Sequence, residues 1–285
     1  MIRFIFLLFT ALLTLNAFAK PSNLSLEREE AFLGAKVSIY KEVQGLKVHR
    51  FITSFVYSYL LETKNSVVII DTLTDLEAGK KLLSYAQSLK KPIYGVFITH
   101  THGDHIGGIE AFKGYGIYSF EGVLNEIRKK TKSTLKLVEI SEDKELEIGG
   151  IKYIPKNIKE AHIQNHLILL MPDIEGIIVG DLAIANFKTH RLLIRNFDAF
   201  IEGLTFLKNQ KGYSFLLGGH GDVIPFSKLN DNINFVKIAK KSYLKAKNVD
   251  DYFAIMSKKY QTIKHYDNLQ RRFFEENGTT FKHND

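Results

Sequence analysis

Three histidines and one aspartate fall within six consecutive positions, His100-Thr101-His102-Gly103-Asp104-His105, and an apolar run from Ile93 to Ile98 leads straight into them. Imidazole and carboxylate are the ligand types that suit Zn²⁺ and neighbouring divalent metals. The spacing is too tight for all four side chains to serve one tetrahedral ion. It fits two adjacent ions, with His100 and His102 on one and Asp104 and His105 on the other. The bland explanation is a loop that happens to be rich in histidine. With ten His in the chain, chance would produce the pattern roughly once in two thousand such chains.

The stretch Thr99-His100-Thr101-His102-Gly103-Asp104-His105-Ile106-Gly107-Gly108 resembles the signature T-H-x-H-x-D-H-x-G-G of the metallo-β-lactamase-fold hydrolase superfamily. The resemblance can be followed from about residue 37 to about residue 226, and it specifies the superfamily rather than one activity. It implies three further ligands: His162, Asp181 after the run Ile177–Gly180, and His220 within Gly218-Gly219-His220-Gly221. The first site is then His100, His102 and His162, the second Asp104, His105 and His220, and Asp181 bridges them. Near 162 the chain departs from the family pattern, reading Ala161-His162-Ile163-Gln164-Asn165-His166. His166 therefore competes with His162, and spacing to Asp181 favours His162. His166 is otherwise a candidate substrate contact, as are Lys188 and His190.

Behind the ligands, Asp71 closes a buried strand and is expected to fix a ligand imidazole, as metal-bound histidine requires. Thr99 is expected to support the loop backbone. His49, His190, His265 and His283 lie away from the pattern and read as surface histidines.

The resemblance implies a zinc-dependent hydrolase with two Zn²⁺ per chain, in which a metal-bound hydroxide attacks an ester, thioester or lactam carbonyl. Such a water can fall to a pKa of about 7. Asp104 is then both a ligand and the catalytic residue that orients the nucleophile. The all-His/Asp ligand set is similar to that of glyoxalase II-type thioesterases. A β-lactamase is a competing reading, although Asp181 stands where one subclass has cysteine and Ile184 where it has a carboxylate-clamping lysine. Two more readings fit the same ligands: a mononuclear iron sulfur dioxygenase and a non-catalytic metal-binding protein.

Composition narrows the class. The absence of cysteine excludes disulfides and thiolate ligands. The formal charge of +8 is scattered, with a basic surplus after residue 228, and solvated helix faces explain it better than nucleic-acid binding does. The partner is expected to be a small-molecule substrate. Met1-Ile2-Arg3, the apolar segment Phe4–Leu15 and Ala17-Phe18-Ala19 read as a secretory signal peptide over 1–19. Residues 20–285 would then be exported to the periplasm without stable membrane insertion.

Elements that could position the ligands follow from periodicity. An antiparallel meander is expected over Lys36–Val43, Leu46–Ile52 and Val56–Glu62. The strand Ser66–Asp71 follows, then a helix capped by Asp75 with an apolar face of Leu76, Leu82, Leu83, Ala86 and Leu89. Strand 93–98 carries the metal loop at its C-terminal end, where α/β sheets place their sites. Gly107-Gly108 should allow a tight turn into a short helix. Further strands are expected near 117, 135–140, 146, 151–154, 166–171, 177–179 and 214–217, with helices over 120–131 and 198–209 and from about 227 to 277. Two sheet-bearing halves with helices outside predict an α/β chain folded as a four-layer αβ/βα sandwich with C-terminal helices.

Overall fold

The structure, a computed structural model, describes residues 23–131, 134–187, 192–260 and 264–276. The chain begins with β1 (Leu26–Phe32), β2 (Ala35–Tyr40), β3 (Lys47–Ile52), β4 (Tyr57–Glu62) and β5 (Val67–Ile70). Next come α1 (Leu76–Ser88), β6 (Ile93–Phe97), α2 (Gly103–Ile106), β7 (Gly116–Ser119), α3 (Glu121–Lys130) and β8 (Lys136–Glu139). These eight strands form one sheet in sequence order. Antiparallel pairing holds through β5, and parallel pairing from β5 to β8.

The second half contributes β9 (Leu146–Ile148), β10 (Ile151–Asn157), β11 (Leu167–Met171), β12 (Gly176–Gly180), α4 (Phe197–Asn209), β13 (Phe215–Gly218) and β14 (Ile224–Pro225). Its six strands run β14-β13-β12-β11-β10-β9 across the second sheet. Helices α5 (Leu229–Lys245), α6 (Val249–Ser257) and α7 (Lys264–Glu276) complete the described chain. No helix among the described residues is long and apolar enough to cross a membrane.

The period-two alternation of strands divides the apolar residues among three cores. In β5, Val67 and Ile69 face outward to Leu82, Ala86 and Leu124 of α1 and α3. Val68 and Ile70 face inward, into the layer that holds Tyr153, Leu169 and Phe215 of the second sheet. In β11, Leu167, Leu169 and Met171 join that inner layer, whereas Ile168 and Leu170 pack outward with Phe200, Leu204 and Val236 of α4 and α5. The result is the expected four-layer αβ/βα sandwich. Strands buried on both faces explain why β5, β11 and β12 are unbroken apolar runs.

The structure differs from the sequence pattern at several places. Strand β1 has no counterpart among the expected elements, because its sequence Leu-Glu-Arg-Glu-Glu-Ala-Phe is mostly exposed and carries no buried face. Asp75 caps α1 by accepting from the Ala78 amide at 2.9 Å, but Leu76 is 44% exposed and lies off the buried face. A short 3₁₀ helix over Ile109–Phe112 follows Gly107-Gly108 as expected, but a further short helix, α2, precedes them, so Asp104 and His105 are themselves helical. His49 is buried, not a surface residue. Its Nδ1 meets the Tyr85 hydroxyl at 2.8 Å and its Nε2 meets Glu62 Oε2 at 2.8 Å, so polar partners on α1 and the neighbouring β4 admit it beneath α1. His265 and His283 lie outside the residues whose side chains are described.

Gly107 and Gly108 are required by close approach. A Cβ on Gly108 would lie 2.1 Å from the Thr72 carbonyl oxygen and 2.7 Å from the Gly79 Cα, and one on Gly107 would lie 1.9 Å from the Thr74 oxygen. These are backbone atoms with nowhere to go, and through them α1 docks on the chain just after the histidine motif. Gly108→Ala is predicted to destabilise the fold by about 1–3 kcal/mol through overpacking, measured by urea denaturation. Wild-type stability in that variant would contradict the close docking.

Candidate metal centre

Most residues of the centre stand where a strand ends. Asp71 follows β5, the His100–His105 motif follows β6, Asp181 follows β12, and His220 follows β13. His162 lies in the loop between β10 and β11, and His166 immediately precedes β11. The central strands of the two sheets therefore deliver their ends to one edge of the sandwich.

Two groups of donor atoms result. His100, His102, His162 and Asp181 form one, and Asp104, His105 and His220 the other, with the atoms of each group within 4.8 Å of one another. His162 Nε2 is 3.0 Å from His102 Nδ1. Asp181 lies between the groups: Oδ2 is 3.5 Å from His162 Nε2, 3.7 Å from His100 Nε2 and 3.2 Å from His220 Nε2. Its Oδ1 is 3.2 Å from His105 Nε2. Asp104 Oδ2 lies 3.5 Å from His220 Nε2 and 3.9 Å from His105 Nε2.

Hydrogen bonds behind the donors set which nitrogen faces inward. Thr99 Oγ1 donates to Asp71 Oδ2 at 2.7 Å, so it accepts from His100 Nδ1–H at 3.0 Å. His105 Nδ1–H donates to Asp71 Oδ2 at 2.8 Å, His162 Nδ1–H to the Leu193 carbonyl at 2.7 Å, and His220 Nδ1–H to the Phe55 carbonyl at 2.8 Å. In all four residues Nδ1 is thereby committed and Nε2 faces the cluster, the orientation a metal-ligating imidazole needs. Asp71 also accepts the Thr99 amide at 2.8 Å and adopts φ +59°, a left-handed conformation that aspartate tolerates better than most residues. Asp71 and Thr99 thus both lie directly behind the histidine motif and hydrogen-bond to its rings.

Unpartnered atoms test whether a metal fits. His100 Nε2, His105 Nε2 and Asp181 Oδ1 are buried without a hydrogen-bond partner; the last two are close but not aligned to bond each other. Buried polar groups are rarely left so, and these three converge on the space a cation would fill. Electrostatics point the same way. Burial pushes the imidazolium forms of His100, His102 and His162 down, His102 to about 4 and His162 to about 3. Burial also opposes charge on His105 and His220, yet the Asp181 carboxylate overrides it and raises both. Burial in turn disfavours the Asp181 anion, and His220 and His105 pull it well below the usual carboxylate range. The Asp181 side demands positive charge, which bound cations would supply in place of protons.

His166 lies against the cluster rather than in either group. Its Nε2–H donates to the Val179 carbonyl at 3.0 Å, and its ring stacks on His100 with centroids 4.8 Å apart and planes at 14°. A Cβ on Gly180 would sit 2.6 Å from His166 Nε2, so the glycine makes room for it. Lys188 and His190, the other candidate substrate contacts, lie outside the described residues.

Several contributors carry no signal in the sequence. Leu193 and Phe55 act through backbone carbonyls, which leave no trace in residue type. The Phe55 ring stacks on His220 at 5.8 Å and is 42% exposed, putting an apolar face at the rim. Beside His102 opens a cleft of about 380 Å³ whose lining includes Thr101, Glu126, Lys130, Asn165 and Arg195.

Residues 52–188 match the model of the metallo-beta-lactamase superfamily. Two proteins named metallo-beta-lactamase type 2, from Bacillus sp. (strain 170) and Bacillus cereus, are 25% and 24% identical over 172 residues, 58% of this chain in each case. The aligned stretch spans 66% of the length of each of those relatives, just under two thirds. Among solved structures, the metallo-beta-lactamase from Pontibacter korlensis superposes with a TM-score of 0.59 at 19% identity, covering 75% of this chain and 99% of that one. The Erythrobacter litoralis metallo-beta-lactamase gives 0.60 at 15% identity, covering 74% and 99%. Over residues 52–188 the chain is thus similar to the metallo-beta-lactamase superfamily, and its four-layer sandwich is the fold of these structures.

The different placements of His162 and His166 make a direct prediction. His162→Ala is expected to lower metal content by about one ion per chain, because it removes a convergent donor. His166→Ala is expected to leave metal content unchanged. Metal analysis of the purified variants checks both, and the reverse pattern would exchange their roles.

Proposed function

We propose that the protein is a dinuclear zinc-dependent hydrolase acting on a carbonyl-type small molecule, an ester, thioester or lactam. The observation that carries this reading is Asp181, whose carboxylate lies between two groups of histidines, Oδ1 beside His105 and Oδ2 between His220 and the pair His100 and His162. His100, His102 and His162 would hold one ion, Asp104, His105 and His220 the other, and Asp181 would be shared. When bound, such ions lower the pKa of a shared water toward neutrality and polarise the group under attack.

The chain's own residues supply the rest. Asp104 is the ligand carboxylate with the most solvent access, its side chain 24% exposed against 10% for Asp181. It can accept a hydrogen from the attacking water and aim it at the carbonyl. Asp71 and Thr99 keep His100 and His105 in the tautomer that leaves Nε2 available. Phe55 offers an apolar wall beside His220, and the cleft next to His102 has room for a substituent of the substrate.

A β-lactamase is the second reading, favoured by the names of the Bacillus relatives. Against it, Ile184 is buried, with its amide and carbonyl both held by Asn232, so that position offers no cation for a substrate carboxylate. A broader esterase or thioesterase fits better. The amino-terminal segment, with its basic start, apolar core and Ala17-Phe18-Ala19, supports export to the periplasm.

Purified protein is expected to hold two zinc-class ions per chain and to hydrolyse at least one substrate in a panel of esters, thioesters, lactams and phosphoesters. Asp104→Asn should reduce that rate at least about 100-fold. A single tightly bound iron with oxygen consumption would replace the hydrolase reading with an oxygenase. A metal-loaded protein inert on the whole panel would replace it with a binding role.

A further inference from the structure

His220 rides on a segment with little stiffness of its own. Gly218, Gly219 and Gly221 surround it, and Gly221 sits at φ +82°. One of these glycines is obligatory for the site: a Cβ on Gly219 would lie 2.4 Å from Asp181 Oδ1 and 2.5 Å from His105 Cε1. The cluster thus requires a glycine-rich backbone at the very place where an imidazole must be held still. Glycine carries the largest conformational freedom of any residue, so the rigidity has to come from outside the segment.

It comes from β3, β4 and the turn between them, in an ordered series. The Tyr59 hydroxyl donates to the Gly218 carbonyl at 2.8 Å, and the Tyr57 amide donates to the Gly219 carbonyl at 2.8 Å. The Phe55 carbonyl accepts from His220 Nδ1–H at 2.8 Å. Arg50 closes the series, with Nη1 donating to the Gly221 carbonyl at 3.2 Å and to Asp222 Oδ1 at 3.0 Å. Residues 59, 57, 55 and 50 thereby hold 218, 219, 220 and 221–222 in turn. Arg50 and Tyr59 are cross-strand partners, so the two ends of the grip share one rung of the sheet.

Arg50 is the unusual member. It is only 5% exposed, its Nη2 is spent on Ser38 Oγ at 3.3 Å, and its Nε is buried with no partner. Its guanidinium lies over the Tyr57 ring at 4.9 Å. The counter-ion Asp222 is 86% exposed at its side chain, so the pair is lopsided in burial. A buried, incompletely bonded charge is weak evidence for stabilisation, and placement is the better-attested use of such a group.

We propose that Arg50 is a positioning residue for the second metal site: by fastening Gly221 and Asp222 to β3, it holds His220 where it can ligate. The proposal rests on the two-metal reading above. The grip is expected to control the ion held by Asp104, His105 and His220 and to leave the ion held by His100, His102 and His162 alone.

The test is a stepwise titration of metal-stripped full-length protein with Zn²⁺ and, separately, Co²⁺, resolving two dissociation constants. Arg50→Met, which keeps the apolar stem and removes the fork, should weaken the second constant about 10–100-fold, the range typical of groups that orient metal ligands. The first constant should change less than about threefold. Asp222→Asn, at an exposed side chain that does not threaten folding, should weaken the second constant in the same direction by a smaller factor. Should Arg50→Met fail to fold, Asp222→Asn and Tyr59→Phe carry the test. Both constants unchanged, or both weakened alike, would overturn the proposal while leaving the two-metal reading in place. A wild-type chain that binds only one ion would overturn both together.

Discussion

The buried carboxylate of Asp181 is the constraint around which the structure is arranged. An anion removed from water must be compensated by nearby positive charge or by donors. Here the compensation is four imidazoles at 3.2–3.7 Å, drawn from three separate stretches of chain. The carboxylate can stand there because β12 and β13 run parallel and end together, with the Gly219 amide donating to the Gly180 carbonyl at 2.9 Å. Glycines at 180 and 219 then clear the space that Cβ atoms would otherwise fill. Cations between the imidazoles and the carboxylate would resolve the conflict between burial and charge more completely than protons, because they would satisfy the orphaned nitrogens at the same time.

A second carboxylate governs orientation. Asp71, at the end of β5, receives the Thr99 amide, the Thr99 hydroxyl and His105 Nδ1, so one side chain braces the start and the end of the histidine motif. The first sheet thus steadies its own site residues through Asp71 and also reaches across to the second sheet, through β3–β4 at His220. This division of labour explains why polar residues with no ligating role, Tyr59 and Arg50 among them, are buried in the first sheet near the site.

Legibility in the sequence depends on whether a signal is local. The His100–His105 motif, the apolar runs of β5, β6, β11 and β12, and the glycine contexts of Asp181 and His220 are all contiguous, and the structure brings all seven proposed ligands to one edge. The ambiguity between His162 and His166 is a matter of register over four residues. The two rings differ in the hydrogen bonds they make, through Nδ1 to Leu193 in one case and through Nε2 to Val179 in the other. Features set by distant partners are not legible. His49 reads as a surface histidine because Tyr85 and Glu62 are 36 and 13 residues away. The β3–β4 grip on the His220 segment joins residues up to 172 positions apart, two of its contacts use backbone atoms of the hairpin, and nothing in residue type announces it. Strand β1 is silent for a different reason: an edge strand with exposed charged side chains has no hydrophobic period to read.

The most direct measurement of a shared Asp181 is an anomalous-scattering map from crystals of the zinc-loaded protein, recorded on both sides of the zinc edge. Two peaks are expected about 3.5–4 Å apart, the usual separation in two-metal sites, with one Asp181 oxygen directed at each and His162 at the first. A single peak, or two peaks of which neither touches Asp181, would contradict it.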